Sequence, residues 1–106
     1  MAQSPVNITA GIIPTFAYES IAVDNTVKSL SSIYTDDDDN VAMKAIITIE
    51  TAQIRWRMDG ENPSSSDGHL SNPTDIILLN NSSDIKNFRA TRVGSTNATI
   101  RVSYAG

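Results

Sequence analysis

The feature that most limits what this chain can become is the strict alternation of residues 98–104, Ala-Thr-Ile-Arg-Val-Ser-Tyr. Successive side chains of a strand point to opposite faces, so Ala98, Ile100, Val102 and Tyr104 share one side and Thr99, Arg101 and Ser103 the other. A second segment, residues 53–64, obeys the same rule: Ile54, Trp56 and Met58 alternate with Gln53, Arg55 and Arg57. It then runs into Asp59-Gly60, a pair suited to the left-handed conformations of a tight hairpin. The only tryptophan of the chain, Trp56, is expected to face inward and anchor a core. Two segments of period two leave an all-β domain as the natural expectation.

The rest of the chain fits that expectation. Residues 17–23 and 27–33 read as strands around an Asp24-Asn25 turn. Residues 44–51, rich in isoleucine and threonine, read as a central strand. Ala52 marks a bend, after which residues 54–58 continue in the same or the facing sheet. Residues 61–73 form a loop of serine, asparagine, glycine and two prolines. The turn at Asn72-Pro73-Thr74-Asp75 leads into residues 76–79, whose apolarity on both faces predicts an interior strand. Ser82, Ser83 and Asp84 are expected to cap a single helical turn reaching Asn87. Residues 88–93 and 98–104 read as a hairpin around Gly94-Ser95-Thr96-Asn97. About seven short strands with regular turn signals predict a small antiparallel β-sandwich, immunoglobulin-like or jelly-roll-like, in preference to a closed barrel.

At 106 residues the chain has the size of one domain. The expected division is an extended N-terminal arm over residues 1–16 and a single sandwich over 17–106. The arm carries no charged side chain, yet Val6, Ile8, Ile12, Ile13 and Phe16 are apolar. Disordered tails are normally polar and charged, so this arm is expected to lie on a surface, either its own domain or an adjacent subunit.

Charge and composition narrow the function classes. The net charge is −4, the opposite of a general nucleic-acid binder. Residues 1–51 hold two lysines against seven carboxylates, and residues 52–106 hold six basic against five acidic groups, so the acidity is local. Without cysteine there is neither disulfide nor thiolate metal site, and a small domain must rely on its core or on association. That composition suits a reducing cytosol. No secretory signal is expected from residues 1–3, and no apolar run is long enough to span a bilayer.

Candidate chemistry is sparse. Asp36, Asp37, Asp38 and Asp39 offer oxygens to calcium, but they lack the spaced ligands, central glycine and closing glutamate of a calcium loop; a solvated acidic loop is expected. His69 is the only histidine. A Ser/His/Asp device would need it, yet no nucleophile elbow surrounds the nearby serines, and a solvent-facing or turn-stabilising histidine is expected. Glu50, Asp59 and Glu61 do not form a recognisable carboxylate pair. No catalytic, cofactor or metal site is therefore assigned. Arg55 and Arg57 must share a face, which Arg101 joins if its strand is a neighbour. Such a stripe suits a solvated sheet face first and a subunit contact second; nucleic acid is disfavoured for want of stacking aromatics.

Residues 45–64, Ala-Ile-Ile-Thr-Ile-Glu-Thr-Ala-Gln-Ile-Arg-Trp-Arg-Met-Asp-Gly-Glu-Asn-Pro-Ser, resemble a segment of small structural proteins of tailed bacteriophages. Gly68-His69-Leu70, residues 76–79 and 85–90, and Gly94-Ser95-Thr96-Asn97-Ala98-Thr99 extend the resemblance over about residues 43–104. The resemblance implies a non-enzymatic virion protein, a capsid decoration or cement protein that bridges major capsid subunits. It would assemble in the host cytoplasm, form a homo-oligomer, and use neither nucleic acid nor membrane. The subunit-contact candidates, read from the apolar arm and the arginine stripe, are Val6, Ile8, Ile12, Ile13, Phe16, Arg55, Arg57 and Arg101. A neck or tail component is the alternative within that class. A carbohydrate- or host-surface-binding module is the alternative outside it, because the Asp-Gly-x-x-Pro-Ser turn is also similar to one in immunoglobulin-like modules of carbohydrate-active enzymes. That turn brings no binding residues with it.

Overall fold

The computed structural model describes residues 14–30 and 42–106. Eight strands and one short helix follow in the order β1 (Thr15–Val23), β2 (Lys28–Ser29), β3 (Lys44–Glu50), β4 (Ile54–Arg57), β5 (His69–Ser71), β6 (Ile76–Leu79), α1 (Ser82–Asn87), β7 (Arg89–Arg92) and β8 (Ala98–Ala105). They form two four-stranded sheets, β1-β8-β3-β6 and β2-β7-β4-β5, with every pairing antiparallel. The expected all-β sandwich is the observed architecture.

The alternation of residues 98–104 does what its period demands. Ala98, Ile100, Val102 and Tyr104 are buried. They meet Ala45, Ile47 and Ile49 of β3 and Ile77 and Leu79 of β6, with Ile54 and Ala90 supplied by the facing sheet. Phe88 and Ile85 close one end of this core with no exposed surface. Trp56 packs on the core from its margin, with ring centroids 5.8 Å from Phe88, and its indole N–H donates to Ser71 Oγ at 2.9 Å. The buried Tyr104 hydroxyl donates to Glu19, a carboxylate on the inward side of β1. That pairing satisfies a phenol which would otherwise be stranded in the core.

Several local expectations are corrected by the topology. Only one consecutive strand pair, β4 and β5, is hydrogen-bonded; the chain otherwise passes from sheet to sheet. Residues 88–93 and 98–104 are therefore no hairpin: β7 and β8 lie in opposite sheets. The Asp24 turn exists, since Asp24 Oδ1 accepts from Thr26 N–H at 2.8 Å, but it too links the two sheets. Asp59-Gly60 does not make a two-residue hairpin, because the partner of β4 begins only at His69. Gly60 does take a positive φ of 85° and donates its N–H to Asn87 O. The serine-rich loop hides the short strand β5, which propensity alone does not announce. Asn81, one residue ahead of the expected cap, accepts from Asp84 N–H and starts α1. The segment of residues 76–79 is an edge strand and not an interior one. The sheet begins at Thr15, so Thr15 and Phe16 belong to β1, and Phe16 packs against the core.

Candidate functional site

Pairing registers define the outer face of the β1-β8-β3-β6 sheet. One row crosses all four strands as Tyr18, Ser103, Ile46 and Leu78; the next runs Ser20, Arg101, Thr48 and Ile76. Tyr18 is 55% exposed, Ile46 49%, Leu78 59% and Ile76 63%. Three aliphatic side chains thus meet on the solvent side of β3 and β6, where a monomeric sandwich places polar groups. Arg101 frames them. Its Nε donates to Glu50 at 2.8 Å and its Nη1 to the Tyr18 hydroxyl at 2.9 Å, tying β8 to both neighbours. The hydrogen bond to Glu50, then that to Tyr18, raises its pKa above the usual arginine value, so it is a fixed cation. Apolar side chains beside arginine and tyrosine are a composition that protein interfaces favour.

The edges of the sheets differ in how they are protected. An edge strand exposes unpaired N–H and C=O groups, and folded proteins blunt it with short length, bulges, proline or inward charge. β2 has two residues and β5 three. β1 has a register irregularity between Thr15 and Ala17 and an inward-side carboxylate in Glu19. β6, Ile-Ile-Leu-Leu, carries no charge, no proline and no bulge. Among the described residues no strand pairs with its outer side.

The two other arginines lie on the opposite sheet, so the stripe of Arg55, Arg57 and Arg101 is corrected: β4 and β8 are not neighbours. Arg55 Nη1 donates to Gly68 O at 3.1 Å, while its Nε is buried with no hydrogen-bond partner. It is a half-buried strut beneath the loop between β4 and β5. Arg57 is bound to Asp59 and, at 3.5 Å, to Asp67. Its hydrogen bond draws the Asp59 carboxyl down to about 2, helped by the Glu61 N–H. Arg89 donates to the Lys86 and Phe88 carbonyls, and Arg92 to Asn97. These guanidinium groups are spent inside the fold.

A cleft of about 490 Å³ beside β4 and β5 is lined by Arg57, Met58, Asp59, Asp67, Gly68 and His69. Its charged groups are paired with one another, and the His69 ring rests 4.7 Å from that of Trp56. No hydrogen bond joins His69 to a serine or carboxylate among the described residues, so the Ser/His/Asp arrangement is not assembled there. Glu50 pairs with Arg101 on one sheet while Asp59 and Glu61 lie beyond the other, which also separates the carboxylates. Among the described residues no group of three His, Asp or Glu side chains is placed to hold a metal ion. No helix of the described residues is long and apolar enough to cross a membrane.

Of the contact residues expected from sequence, Arg101 alone sits on the apolar face, and Phe16 is half-buried against the core. Val6, Ile8, Ile12 and Ile13 lie outside the described residues, as do Asp36, Asp37, Asp38 and Asp39. Tyr18, Ile46, Ile76 and Leu78 were not singled out by sequence reasoning. Their signal was present as apolar residues at outward positions of strands, but it becomes legible only once the register is known. Comparison with protein-family models, with curated proteins and with solved structures finds no match.

Proposed function

We propose that this chain is a non-enzymatic structural protein of a tailed-phage virion, a capsid decoration or cement protein that bridges major capsid subunits. The observation that carries the proposal is the outer face of the β1-β8-β3-β6 sheet, where Ile46, Ile76 and Leu78 stand exposed beside an unprotected edge. Removing such a surface from water contributes about 25 cal/mol per Å² of apolar area, against which the ordering costs of association are set. The resemblance of residues 43–104 to small phage proteins supports the virion as the setting. Among the described residues Arg57 is paired with Asp59 and His69 is packed on Trp56.

The test is mass spectrometry of purified particles with copy number. Stoichiometry near that of the major capsid protein supports a cement role, a few copies per particle points to neck or tail, and absence from particles refutes the proposal.

A further inference from the structure

Building on that assembly reading, we infer that the open edge of β6 accepts the N-terminal arm of a neighbouring copy of this chain. Residues 6–9 of one copy add as a fifth strand beside Ile76–Leu79 of the next.

Acceptor and donor match in chemistry and length. β6 is four uncharged residues with a free edge among the described residues. The sequence Val6-Asn7-Ile8-Thr9 alternates apolar and polar, is rich in β-branched residues, and is bounded by Pro5 and Gly11. Main-chain hydrogen bonds supply affinity in strand addition, and alternate side chains supply specificity. In an antiparallel register with Ile8 opposite Leu78, Val6 and Ile8 lie on the outer side and extend the apolar cluster of Ile76, Leu78 and Ile46.

The point where the arm leaves the sheet favours a neighbour over the same chain. The Pro14 carbonyl accepts from Gly106 N–H, which fixes the start of the arm beside the end of β8. β1 is the edge opposite β6, so a strand added outside β6 lies four strand spacings of about 4.8 Å, roughly 19 Å in all, from β1. Residues 10–13, fully extended at about 3.3 Å each, span roughly 13 Å and leave no slack for that crossing. The arm also departs at the Leu79 end of β6, because Ala45 faces Leu79 and Tyr104, and Tyr104 faces Ala17. Residues 6–9 folding back in the same chain would run parallel to β6, whereas every observed pairing is antiparallel. A second copy is free of both restrictions.

The absence of cysteine makes the contact directly testable in the full chain. Ile8→Cys and Leu78→Cys are made separately, purified, mixed and mildly oxidised; Leu78 is exposed, so its replacement spares the core. The expected product is the mixed disulfide between positions 8 and 78, identified by non-reducing gel and peptide mass spectrometry. Its yield should exceed that with Asn25→Cys, on an exposed turn, in place of Leu78→Cys. Predominant 78-to-78 bonding would instead show edge-to-edge pairing and overturn the inference. An intrachain bond in the doubly substituted protein would overturn it as docking within one chain, and cross-linking no better than the control would overturn it outright. Ile8→Pro, which removes a ladder N–H, should abolish self-association by light scattering while circular dichroism stays unchanged. The two readings separate on particles. Failed cross-linking with full particle association defeats only the arm contact; successful cross-linking with absence from particles defeats only the virion role.

Discussion

Neighbouring residues of β6 should respond in opposite ways to substitution. Leu79 is 1% exposed and Leu78 59% exposed, although one peptide bond joins them. Leu79→Ala removes buried methyl groups and leaves a cavity, which costs about 2–5 kcal/mol. At roughly 4–8 °C per kcal/mol for a domain near this size, the melting temperature should fall by at least about 8 °C. Leu78→Lys forfeits at most the buried minority of a side chain whose full burial contributes about 1.5–3 kcal/mol, so the ceiling is about 1 kcal/mol. The lysine stem retains part of that contact, and the net change should be nearer 0.5 kcal/mol. Thermal unfolding followed by circular dichroism at low concentration reads the isolated fold. A concentration series then adds the association term, because binding to the native state raises its apparent stability. The wild-type melting temperature should climb with concentration and that of Leu78→Lys should not. If Leu78→Lys destabilises the dilute protein as much as Leu79→Ala, the outer face is covered within the chain and the interface reasoning fails.

Three further outcomes follow from particular contacts. Gly68 has φ of 126°, and an added Cβ would lie 3.1 Å from both Trp56 O and Pro63 Cβ; Gly68→Ala should destabilise by about 1–3 kcal/mol from backbone strain, measured by urea unfolding. Trp56→Phe removes the donor to the buried Ser71 hydroxyl and should cost about 1–2 kcal/mol, with coupling to Ser71→Ala in a double-mutant cycle. Asp59 titrates at about 2, below its ordinary 3.8, chiefly through the Arg57 hydrogen bond. Because its folded-state pKa is depressed, its stabilising contribution is complete above about pH 4 and is lost as pH falls toward about 2. In Arg57→Gln the Asp59 carboxyl should move back toward 3.8 by NMR titration, and an unmoved value would break that assignment.

The parts of this fold that were legible in the sequence are those governed by local period. Burial of Ala98, Ile100, Val102 and Tyr104 follows from alternation alone, and the central place of β3 from its isoleucine and threonine content. Partner choice was not legible, because turn chemistry states that the chain reverses or bends and is silent on which sheet it enters next. Asp24-Asn25 and residues 94–97 look like hairpin turns by composition, yet each carries the chain across the sandwich. The candidate surface escaped for the same reason: Tyr18, Ile46 and Leu78 are 28 and 32 residues apart in sequence and share a row only through three pairing registers. The arginines misled because charge was read as availability. Arg55 and Arg57 are instead held by Gly68 O, Asp59 and Asp67.

The misplacement of β6 bears most directly on function. Four consecutive apolar residues predict a strand covered on both faces, and in one chain that means an interior strand. Here the inward residues Ile77 and Leu79 are covered, whereas Ile76 and Leu78 are not. An uncharged, unbulged edge with exposed leucine and isoleucine promotes indiscriminate pairing when left uncovered. A specific occupant resolves the conflict. With a fifth strand along β6 and a partner over its outer face, all four residues would be buried and the two-sided pattern would describe the assembled state. The hydrophobic code of residues 76–79 is then consistent with its surroundings, provided those surroundings include a second molecule.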